Sequence, residues 1–584
     1  MSNLDELNQN INLLMSGVIS HFKENNVSLI MPTYVPQRGE ILREFAKEGV
    51  KTFIAGGYQN ARTFAEVPQK GLPEDTIEYI SSFPEHITRE IAGAIPEDLL
   101  RQRKIALFAY EVDFGWSDLI RRRGLDTEIV STLEQNQRKY FEEKGNLTHI
   151  LDAAGLSDYK IPATRVNAAT PLDELIEIYD RLKNEDGRVV VQDCCSAGCN
   201  TAGKGTLFFD DCETFVKSIL QNGGERKVAR FIKGYESNLS FFAGNSLPDK
   251  KMLGARKIGL TADMDYFNPR TLQTLTANAA AAGINESNIV TIVGRGTLKA
   301  VGDEHLTSGE GNGVGNDVGY VYPENIRRQI SEIGRKLSRL MALAGHVGLA
   351  GADLIIDKTG KIWINEINDR QQGPTAQMSK DAEEHGIPSL LKVSLLSSYA
   401  DFTRTEVQQA FQSLRQNSAA IHEAYSFNPG EFYLKVHSTH PKGQKQEVRR
   451  NLRPGYYAIR RNQNGRWYLN FASYKNPNSN TEYQTNPDKG EVVVKITGGD
   501  WKSGDKVDNG SQLFRITGVA NPGNPPFAIE DGKTVLNKTW RPVVAACYDY
   551  MFGEGYTRQN PLWQKRNSAK NIKIAAIVQS LRSR

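Results

Sequence analysis

The sequence predicts an α/β protein of several domains that ends in a β-rich module. Its length of 584 residues exceeds the roughly 250–300 residues at which one hydrophobic core stops growing. Strand-like and helical stretches alternate in the first part of the chain, whereas β-branched and aromatic residues dominate the segments beyond residue 428. Hydrophobic residues make up 39% and charged residues 24%, an ordinary composition for a globular protein.

The bulk properties argue against several classes of function. The net charge of +4 is small for this length, so the chain as a whole gives no nucleic-acid signal. Residues 1–22 lack the basic start and apolar centre of a secretory signal, and no stretch approaches the roughly 20 apolar residues that span a bilayer. Five cysteines do not form a disulfide framework in a chain of this size. We therefore expect a cytoplasmic protein with reduced thiols and no membrane association.

Residues 1–140 are predicted to form an α/β domain with a parallel sheet. Segments 27–31, 51–55 and 104–110 have the composition of buried strands and are followed by Gly, Pro or polar turn residues. Strands that alternate with helical segments are typical of parallel sheets. No G-x-G-x-x-G pattern follows the first strand, so the sequence does not indicate a dinucleotide-binding domain.

Two helices are predicted in the middle of the chain. Apolar residues recur at three- and four-residue steps over residues 324–344, which predicts a long amphipathic helix. A second helix is predicted for residues 403–424, with Thr403 and Glu406 as a capping box. This second helix belongs to a helical linker at residues 401–428.

Residues 429–550 are predicted to form a separate antiparallel β domain. Turn residues such as Asn464-Gly465 separate segments that alternate or are rich in β-branched and aromatic residues. These segments are 431–437, 456–460, 466–470, 491–497 and 512–516. Residues 551–584 form a basic tail, which is either a solvated segment or a docking site for an acidic partner such as a carrier protein.

The strongest chemical signal is the run from Gly351 to Arg370. Two apolar strands, 354–356 and 362–364, flank an Asp-Lys-Thr-Gly turn. This pattern predicts a β-hairpin. A surface hairpin that merely has one polar face would show the same pattern.

The predicted hairpin brings Asp353 beside Glu366 and Asn368. Because Glu366 and Asn368 are two residues apart, they project from the same face of the second strand. Two carboxylates and an amide oxygen form the kind of hard oxygen site that Mg²⁺ occupies while it also holds nucleotide phosphates. Arg370, two residues further on, is expected on the same face, where its guanidinium can clamp a carboxylate or a phosphate.

This run resembles the metal-binding hairpin of the ATP-grasp superfamily, whose ligases carry the pattern D-x(12)-E-x-N followed by Arg. The spacing of Asp353, Glu366 and Asn368 matches that pattern. The resemblance implies an α+β ATP-grasp core, with a small lobe at residues 141–245 and a large lobe at 246–400. Residues 1–140 would then be a pre-ATP-grasp domain.

Several residues of the small lobe are implied to bind ATP by the same resemblance. Lys144 opens a helix in a segment whose lysine contacts nucleotide phosphate in the family. Gln192 ends a strand before a glycine-rich loop, in which glycines let backbone amides approach phosphate oxygens. From this loop we expect Gly203, Lys204, Gly205 and Thr206 to contribute to phosphate binding.

Residues 228–236 resemble the hinge strand of the superfamily. The resemblance implies that the backbone of Arg230, Phe231 and Ile232 binds adenine and that Glu236 binds the ribose hydroxyls. Two departures bear on this site, because the family usually has Lys at the position of Gln192 and Glu at the position of Ala229. Either other residues such as Lys204 hold ATP in their place, or catalysis is slower, or the module has lost its catalytic activity.

A glycine- and asparagine-rich stretch at residues 294–317 precedes the long helix and is a candidate wall of the substrate pocket. We expect Arg295 to clamp a substrate carboxylate. Lys257 and Lys299 are further candidate phosphate ligands, and the sequence does not choose between them. The stretch is also compatible with an ordinary loop, since glycine and asparagine favour turns.

Three cysteines cluster as Cys194, Cys195 and Cys199. A structural zinc site usually needs four ligands, and no second pair with suitable spacing follows. The surrounding glycines favour a phosphate loop over a thiol nucleophile, so we predict neither role for these cysteines.

The resemblance implies an ATP-dependent carboxylate–amine ligase that uses Mg²⁺. A substrate carboxylate would attack the γ-phosphate of ATP, and the acyl phosphate would react with an amine to give an amide or peptide bond. The resemblance implies Arg370 as a catalytic residue, and the position of the stretch at residues 294–317 adds Arg295 as a second expected one. The domain order resembles biotin carboxylase-like amino-acid and peptide ligases, many of which act in natural-product biosynthesis, and a homodimer is left open.

Three alternative functions are considered. One is the loading of an amino acid onto a carrier-protein thiol. Carboxylation is disfavoured, because the residues after Arg370 read Gln-Gln-Gly-Pro instead of the R-x-Q-V-E-H pattern of the carboxylating enzymes. A nucleotide-binding scaffold protein with a degenerate site is favoured by Gln192 and Ala229 and opposed by the intact hairpin.

Overall fold

The computed structural model of the chain describes most of its residues, and every structural statement below concerns the described ranges. These are 3–32, 39–56, 77–81, 104–108, 127–130, 140–194, 205–221, 224–247, 268, 270–425, 430–440, 443–453, 455–463, 467–473, 491–497, 501–519 and 523–560. The chain divides into two compact units. The first comprises Met1–Ala61, Pro68–Thr297 and Val321–Phe427, and the second comprises Arg62–Val67, Leu298–Tyr320 and Asn428–Arg584.

The first unit begins with a five-stranded sheet in the order β3-β2-β1-β4-β5. All four neighbouring pairs are parallel. The elements are α1 (Asn3–Glu24), β1 (Val27–Pro32), α2 (Gly39–Lys47), β2 (Thr52–Gly56), β3 (Ile77–Ser81), β4 (Lys104–Phe108) and β5 (Thr127–Val130). The sheet confirms the predicted parallel α/β domain, and three strands coincide with the predicted segments 27–31, 51–55 and 104–110.

A four-stranded antiparallel sheet follows, in the order β6-β9-β7-β8. Its elements are the 3-10 turns Lys144–Asn146 and Ser157–Tyr159, α3 (Leu147–Ala153), β6 (Ala163–Val166), α4 (Leu172–Leu182), β7 (Val189–Asp193), β8 (Thr206–Phe209), α5 (Cys212–Gln221) and β9 (Arg226–Arg230). One face is apolar, where Val191 and Val228 are buried together with Leu175 of α4 and Phe215 of α5. Because strand side chains alternate, the neighbouring residues of Val191 and Val228 face the other way.

The larger sheet of the first unit has the order β14-β13-β10-β11. The elements of this region are β10 (Gly234–Asn245), α6 (Arg270–Ala281), β11 (Ile289–Val301), α7 (Glu324–Leu343), β13 (Gly348–Asp357), β14 (Ile362–Asn368), α8 (Thr375–Glu384) and α9 (Leu390–Tyr399). Helix α7 packs closely on this sheet, because a Cβ added at Gly334 would lie within 3.0 Å of Val293. Both the long helix and the hairpin predicted from the sequence are confirmed.

The predicted linker helix is in fact two helices, α10 (Thr405–Gln416) and α11 (Ser418–Ala424). The predicted capping box is wrong, because α10 begins after Arg404 and its N-cap makes no side-chain hydrogen bond. The Thr403 hydroxyl donates instead to the Asp401 carboxylate at 2.7 Å, and the Thr403 amide donates to the same oxygen at 3.0 Å. The Thr403 hydroxyl therefore binds Asp401 in a local turn and does not cap the helix.

The second unit contains an antiparallel sheet in the order β12-β15-β21-β19-β17-β18, with two small hairpins, β16-β20 and β22-β23. Its elements are β12 (Gly313–Asp317), β15 (Glu431–His437), β16 (Lys445–Glu447), β17 (Gly455–Arg461), β18 (Trp467–Ser473), β19 (Glu491–Thr497), β20 (Lys506–Asp508), β21 (Gln512–Val519), β22 (Phe527–Glu530), β23 (Lys533–Leu536), α12 (Arg541–Phe552) and α13 (Tyr556–Gln559). The core includes the fully buried Trp540 and Tyr548. The antiparallel β module is confirmed, whereas most of the basic tail, residues 561–584, lies outside the described residues.

Candidate functional site

A β-bulge at Asn365 determines which side chains share the polar face of the hairpin. Leu354 pairs with Ile364, but the next residue back, Asp353, pairs with Glu366. Directly opposed residues in an antiparallel pair have side chains on the same face. Ile364 therefore points to the buried face and Glu366 to the opposite face. In a regular strand, two residues at this spacing would share one face. The extra residue moves Glu366 from the core face to the face of Asp353.

The polar face extends across three strands. Asn238 of β10 pairs with Asp353 of β13, and Asn368 of β14 lies two pairs beyond Glu366, opposite Gly351. The Asn238 amide donates to the Asp353 carboxylate and, at 2.6 Å, to the side-chain oxygen of Gln372. Glu236 is two residues before Asn238 on β10 and so shares this face. The predicted metal residues and Glu236 are therefore on one surface.

A second polar row crosses all four strands of the smaller sheet. The register aligns Arg165 with Lys227, Lys227 with Gln192, and Gln192 with Thr206. This row lies on the face opposite the apolar core, because Lys227 and Gln192 directly neighbour the buried Val228 and Val191. Ala229, two residues after Lys227, lies on the same face and contributes no charge. Of the predicted ATP-binding residues, Gln192 and Thr206 belong to this row.

Two lysines connect the small-sheet row to the hairpin. The Lys144 ammonium lies 3.6 Å from the Glu366 carboxylate. The Lys227 ammonium donates to the Gln192 side-chain oxygen at 3.3 Å and to the Asn365 carbonyl at 3.5 Å. Both polar surfaces therefore face one another, with lysines on one side and carboxylates on the other. Lys227 was not among the residues identified from the sequence.

Lys227 is the buried lysine of this cluster. Its side chain is only 4% exposed. Burial, followed by the charge of Lys144, lowers the pKa of Lys227 to about 8. A buried ammonium is costly unless an anion or good acceptors compensate it. The site therefore combines a desolvated cation with a neighbouring cation at the place where phosphate was expected.

Residues 142–144 hold the start of the small lobe against the hairpin. Glu142 lies 3.8 Å from the Arg370 guanidinium, and Glu143 accepts a hydrogen bond from the Gly145 amide at 3.1 Å. Burial raises the pKa of Glu143 to about 7. Strand β14 ends at Asn368, so the alternation that was expected to place Arg370 on the polar face does not reach it. Its ion pair with Glu142 brings Arg370 toward the site instead.

A buried histidine–aspartate pair lies behind the end of the hairpin. His346 Nδ1 is 3.1 Å from Asp369 Oδ1, and both side chains are fully buried. Asp369 stands between Asn368 and Arg370 in the chain. The pair thus fixes the segment from which both predicted functional residues emerge. No pattern in the sequence indicates this pair, because His346 precedes β13 and lies far from Asp369 along the chain.

The predicted hinge lies between β9 and β10. Arg230 ends β9, where its amide donates to the Pro162 carbonyl at 2.9 Å, so that amide is already used. Within the described residues, the amides of 231–233 donate no hydrogen bond to another main-chain group. The Phe231 ring packs at 5.9 Å from Phe208, and the Arg188 guanidinium lies over both rings. Residues 231–232 therefore fit the predicted adenine segment better than Arg230 does.

Arg295 lies elsewhere in the first unit. It is 7% exposed and lines a cavity of roughly 350 Å³ along α7, together with Tyr322, Arg327, Arg335 and His422. The lining of this cavity includes none of the predicted metal residues. The predicted role of Arg295 as a carboxylate clamp stays a prediction.

Other predicted residues lie outside the described ranges or in the second unit. Gly203, Lys204, Lys257, Cys195 and Cys199 are outside the described residues. Gly205 is described, and its carbonyl accepts from the Asp193 amide at 3.0 Å. Lys299 is opposite Asn316 in the β11–β12 pair of the second unit. Cys194 is buried, and burial raises its thiol pKa to about 12, which opposes a nucleophilic role.

The oxygen donors of the hairpin supply part of what Mg²⁺ requires. Asp353 is 6% exposed and Asn368 8%, while the Glu366 side chain is 24% exposed beside Lys144. No group of three or more His, Cys, Asp or Glu side chains suited to a metal occurs among the described residues. Two carboxylates and an amide fit Mg²⁺ that completes its shell with phosphate oxygens and water. They do not form a dedicated all-protein cage.

None of the helices in the described part of the chain has the length and apolarity that a membrane span requires. No protein-family profile matches the sequence, and no curated protein matches it.

Several solved structures share the fold at low sequence identity. The biotin carboxylase domain of the Hydrogenobacter thermophilus 2-oxoglutarate carboxylase, solved with MgADP, ADP and bicarbonate, is 11% identical with a TM-score of 0.47, covering 84% of this chain and 86% of that one. Biotin carboxylase from Campylobacter jejuni is 10% identical with a TM-score of 0.47, covering 84% and 87%. L-amino acid ligase from Bacillus licheniformis is 11% identical with a TM-score of 0.46, covering 85% and 93%. In fold, the chain is similar to these three enzymes.

Proposed function

We propose that the chain is an ATP-dependent carboxylate–amine ligase. The observation that carries this proposal is the meeting of the two polar surfaces, where Lys144 of the small lobe lies 3.6 Å from Glu366 of the hairpin. Cations on one sheet and oxygen ligands on the other are what a nucleotide triphosphate with a divalent cation requires. This arrangement supports ATP as the nucleotide and Mg²⁺ as the metal.

Asp353, Glu366 and Asn368 would hold the Mg²⁺. When bound, the ion offsets the negative charge of the phosphates and of the transferring phosphoryl group. Lys144, which lies beside Glu366, would contact a phosphate oxygen of a nucleotide bound at this metal site. Glu236 shares the face and accepts from ribose hydroxyls, while the free amides of residues 231–232 bind adenine.

The reaction joins a small-molecule acid to an amine. A carboxylate oxygen of the acid forms a bond to the γ-phosphorus, and the bond from that phosphorus to the ADP oxygen breaks. The amine then bonds to the acyl carbon, phosphate leaves with the electrons of the carbon–oxygen bond, and the amine loses a proton. Arg370, oriented by Glu142, steadies the carboxylate and the oxyanion that forms next. An amino acid or peptide is the proposed amine, and specialised metabolism is the proposed context.

The competing hypothesis is a scaffold protein that binds a nucleotide without turning it over. The absence of a charged side chain at Gln192 and at Ala229 favours that hypothesis. Lys227 weakens it, because a cation does lie on the same face as these two residues. Loading of a carrier-protein thiol finds no specific observation among the described residues.

The test is incubation with Mg-ATP and pools of amino acids and short peptides, followed by ADP release and product mass. We expect ADP release that requires both an acid and an amine, with a product that has lost one water relative to the two substrates. Glu366→Gln should abolish turnover, whereas Glu174→Gln, an exposed glutamate on α4, should leave it unchanged. Full turnover in Glu366→Gln would contradict the metal assignment, and ATP binding without turnover under every acceptor would favour the scaffold.

A further inference from the structure

We infer that Lys227 is a phosphate-binding residue of the nucleotide site and supplies the positive charge that Gln192 lacks. This inference rests on the proposed function. It deepens that function by naming a residue that the family resemblance did not identify. The cation is moved to the neighbouring strand and is not lost.

The first support is position. Lys227 of β9 is the direct cross-strand partner of Gln192 of β7, on the face opposite the apolar core. Opposed residues in an antiparallel pair have Cβ atoms roughly 4.5–5.5 Å apart. An extended lysine side chain reaches about as far from its Cβ as that distance, so an ammonium carried by β9 reaches the space that a lysine on β7 would occupy. The contact of 3.3 Å between Lys227 Nζ and Gln192 Oε1 shows that it does so.

The second support is the poor compensation of the buried charge. Lys227 is 4% exposed, yet its two hydrogen-bond acceptors are neutral and distant, at 3.3 and 3.5 Å. Within the described part of the chain, no carboxylate forms an ion pair with it. An ammonium has three donors, and hydrogen bonds to anions are shorter and stronger than these. The described surroundings therefore leave this cation short of an anionic partner.

The third support is the neighbouring Lys144, whose charge, after burial, contributes to the lowered pKa of Lys227. Two ammonium groups that approach the same place repel one another, and an anion that both contact offsets that repulsion. Lys144 approaches Glu366 and Lys227 approaches the Asn365 carbonyl, so both point toward the same bulge of the hairpin. The polyphosphate of a nucleotide, held beside the metal ligands, has the charge and the length to bridge them.

The alternative is a purely structural lysine that ties the small sheet to the hairpin through the Asn365 carbonyl. The two roles differ in what they do to nucleotides. A phosphate ligand affects ATP and ADP and leaves adenosine alone, whereas a structural tie affects all three alike.

The experiment is isothermal titration of ATP, ADP and adenosine into the full chain in the presence of Mg²⁺. In Lys227→Met we expect the Kd for ATP to rise roughly 10- to 100-fold, the usual effect of one hydrogen bond to a charged group. The Kd for adenosine should stay within a factor of about two of the original, because adenosine has no phosphate for Lys227 to contact. The control Lys217→Met removes a lysine from the exposed face of α5 and should change neither value.

A charge-exchange variant tests the same point without removing a cation. Gln192→Lys combined with Lys227→Gln returns the ammonium to β7, and we expect ATP affinity within a few-fold of the original chain. This variant also keeps the test decisive if Lys227→Met unfolds, which thermal denaturation would reveal. In that case, equal loss of ATP and adenosine binding in the folded exchange variant would overturn the inference, because it would mark Lys227 as a structural tie.

The outcomes separate the inference from the function on which it rests. If the original chain binds no ATP with Mg²⁺, the proposed function and the inference both fail. Only the inference fails in two cases in which the original chain binds ATP. In the first, folded Lys227→Met binds ATP as tightly as the original chain does. In the second, it loses adenosine affinity by the same factor as ATP affinity.

Discussion

Replacing Glu143 by glutamine should change how the stability of the small lobe depends on pH. Glu143 is 3% exposed and caps the 3-10 turn Lys144–Asn146 by accepting from the Gly145 amide at 3.1 Å. Burial raises the pKa of its carboxyl from 4.5 to about 7, and the Gly145 hydrogen bond and the charge of Arg165 offset only part of this effect. Glutamine keeps the hydrogen-bond acceptor and removes the titration.

The sign and the size of the effect follow from the two pKa values. Between pH 4.5 and 7 the folded state holds the Glu143 proton more tightly than the unfolded chain does. The free energy of unfolding therefore falls as pH rises through this window. At 1.36 kcal/mol for each pKa unit, the contribution of Glu143 amounts to about 3 kcal/mol, complete above pH 7.

The measurement is urea unfolding of both proteins from pH 4 to 8, with hydrogen exchange of residues 140–153 as the local probe. The glutamine variant should gain about 3 kcal/mol relative to the original chain between the two ends of this range. Glu177→Gln, an exposed site on α4, is the matched control and should show no such gain. Two parallel curves, separated by a constant amount at every pH, would refute the claim that Glu143 is buried and uncompensated.

Three further predictions concern the hairpin and the second unit. Gly351→Ala should lower the free energy of unfolding in urea by about 1–3 kcal/mol. Its Cβ would lie within 3.0 Å of the Leu239 carbonyl oxygen, a backbone atom that cannot move aside. An unchanged urea midpoint would contradict the tight β10–β13 packing. Arg370→Lys should lower kcat at least tenfold with little change in ATP affinity, since lysine lacks the planar fork that binds a carboxylate; a purely structural role would instead lower the melting temperature without a specific kinetic effect. Burial lowers the pKa of His437 to about 4, so between pH 6.5 and 4 the folded second unit binds fewer protons than the unfolded chain. Its free energy of unfolding therefore falls by up to about 3 kcal/mol as pH falls through that window. His437→Gln should flatten this pH dependence in thermal denaturation.

The elements that follow from local periodicity were predictable. Helix α7 was expected over residues 324–344 and is found at Glu324–Leu343. Its apolar residues repeat at helical spacing, and that spacing alone determines which face is buried. The hairpin was predictable for a similar reason, because the turn at Asp357–Gly360 separates two apolar runs.

Caps and strand ends were less predictable, because they depend on competing local contacts. Thr403 and Glu406 have the spacing of a capping box, but Asp401 binds the Thr403 hydroxyl first. Arg370 has the spacing of a strand residue, but β14 has ended two residues earlier. In both cases the residue types had the expected spacing, but the backbone did not adopt the helical or extended conformation that this spacing requires.

The bulge at Asn365 shows why the correct residues were identified with an incomplete account of their geometry. Residues 362, 364, 366 and 368 follow strict alternation, so a regular strand would place Glu366 and Asn368 on the same face as the buried Ile362 and Ile364. A buried carboxylate pair without compensation would cost several kcal/mol. The bulge avoids that cost by turning the second half of the strand over, a change that no period-two pattern in the sequence reveals.

The exchange between Gln192 and Lys227 follows from the same limit of one-dimensional patterns. Along the chain, Gln192 appears as a lost charge, and that loss favoured a degenerate site. In the sheet, antiparallel pairing joins Gln192 to a lysine that is 35 residues away in sequence. What a phosphate experiences is the charge on a surface and not the strand that carries it, because electrostatic attraction depends on the charges, their distance and the dielectric between them. A nucleotide site can therefore keep its charge while its sequence motif changes, provided that the replacement lies on a neighbouring strand and on the same face, as Lys227 does.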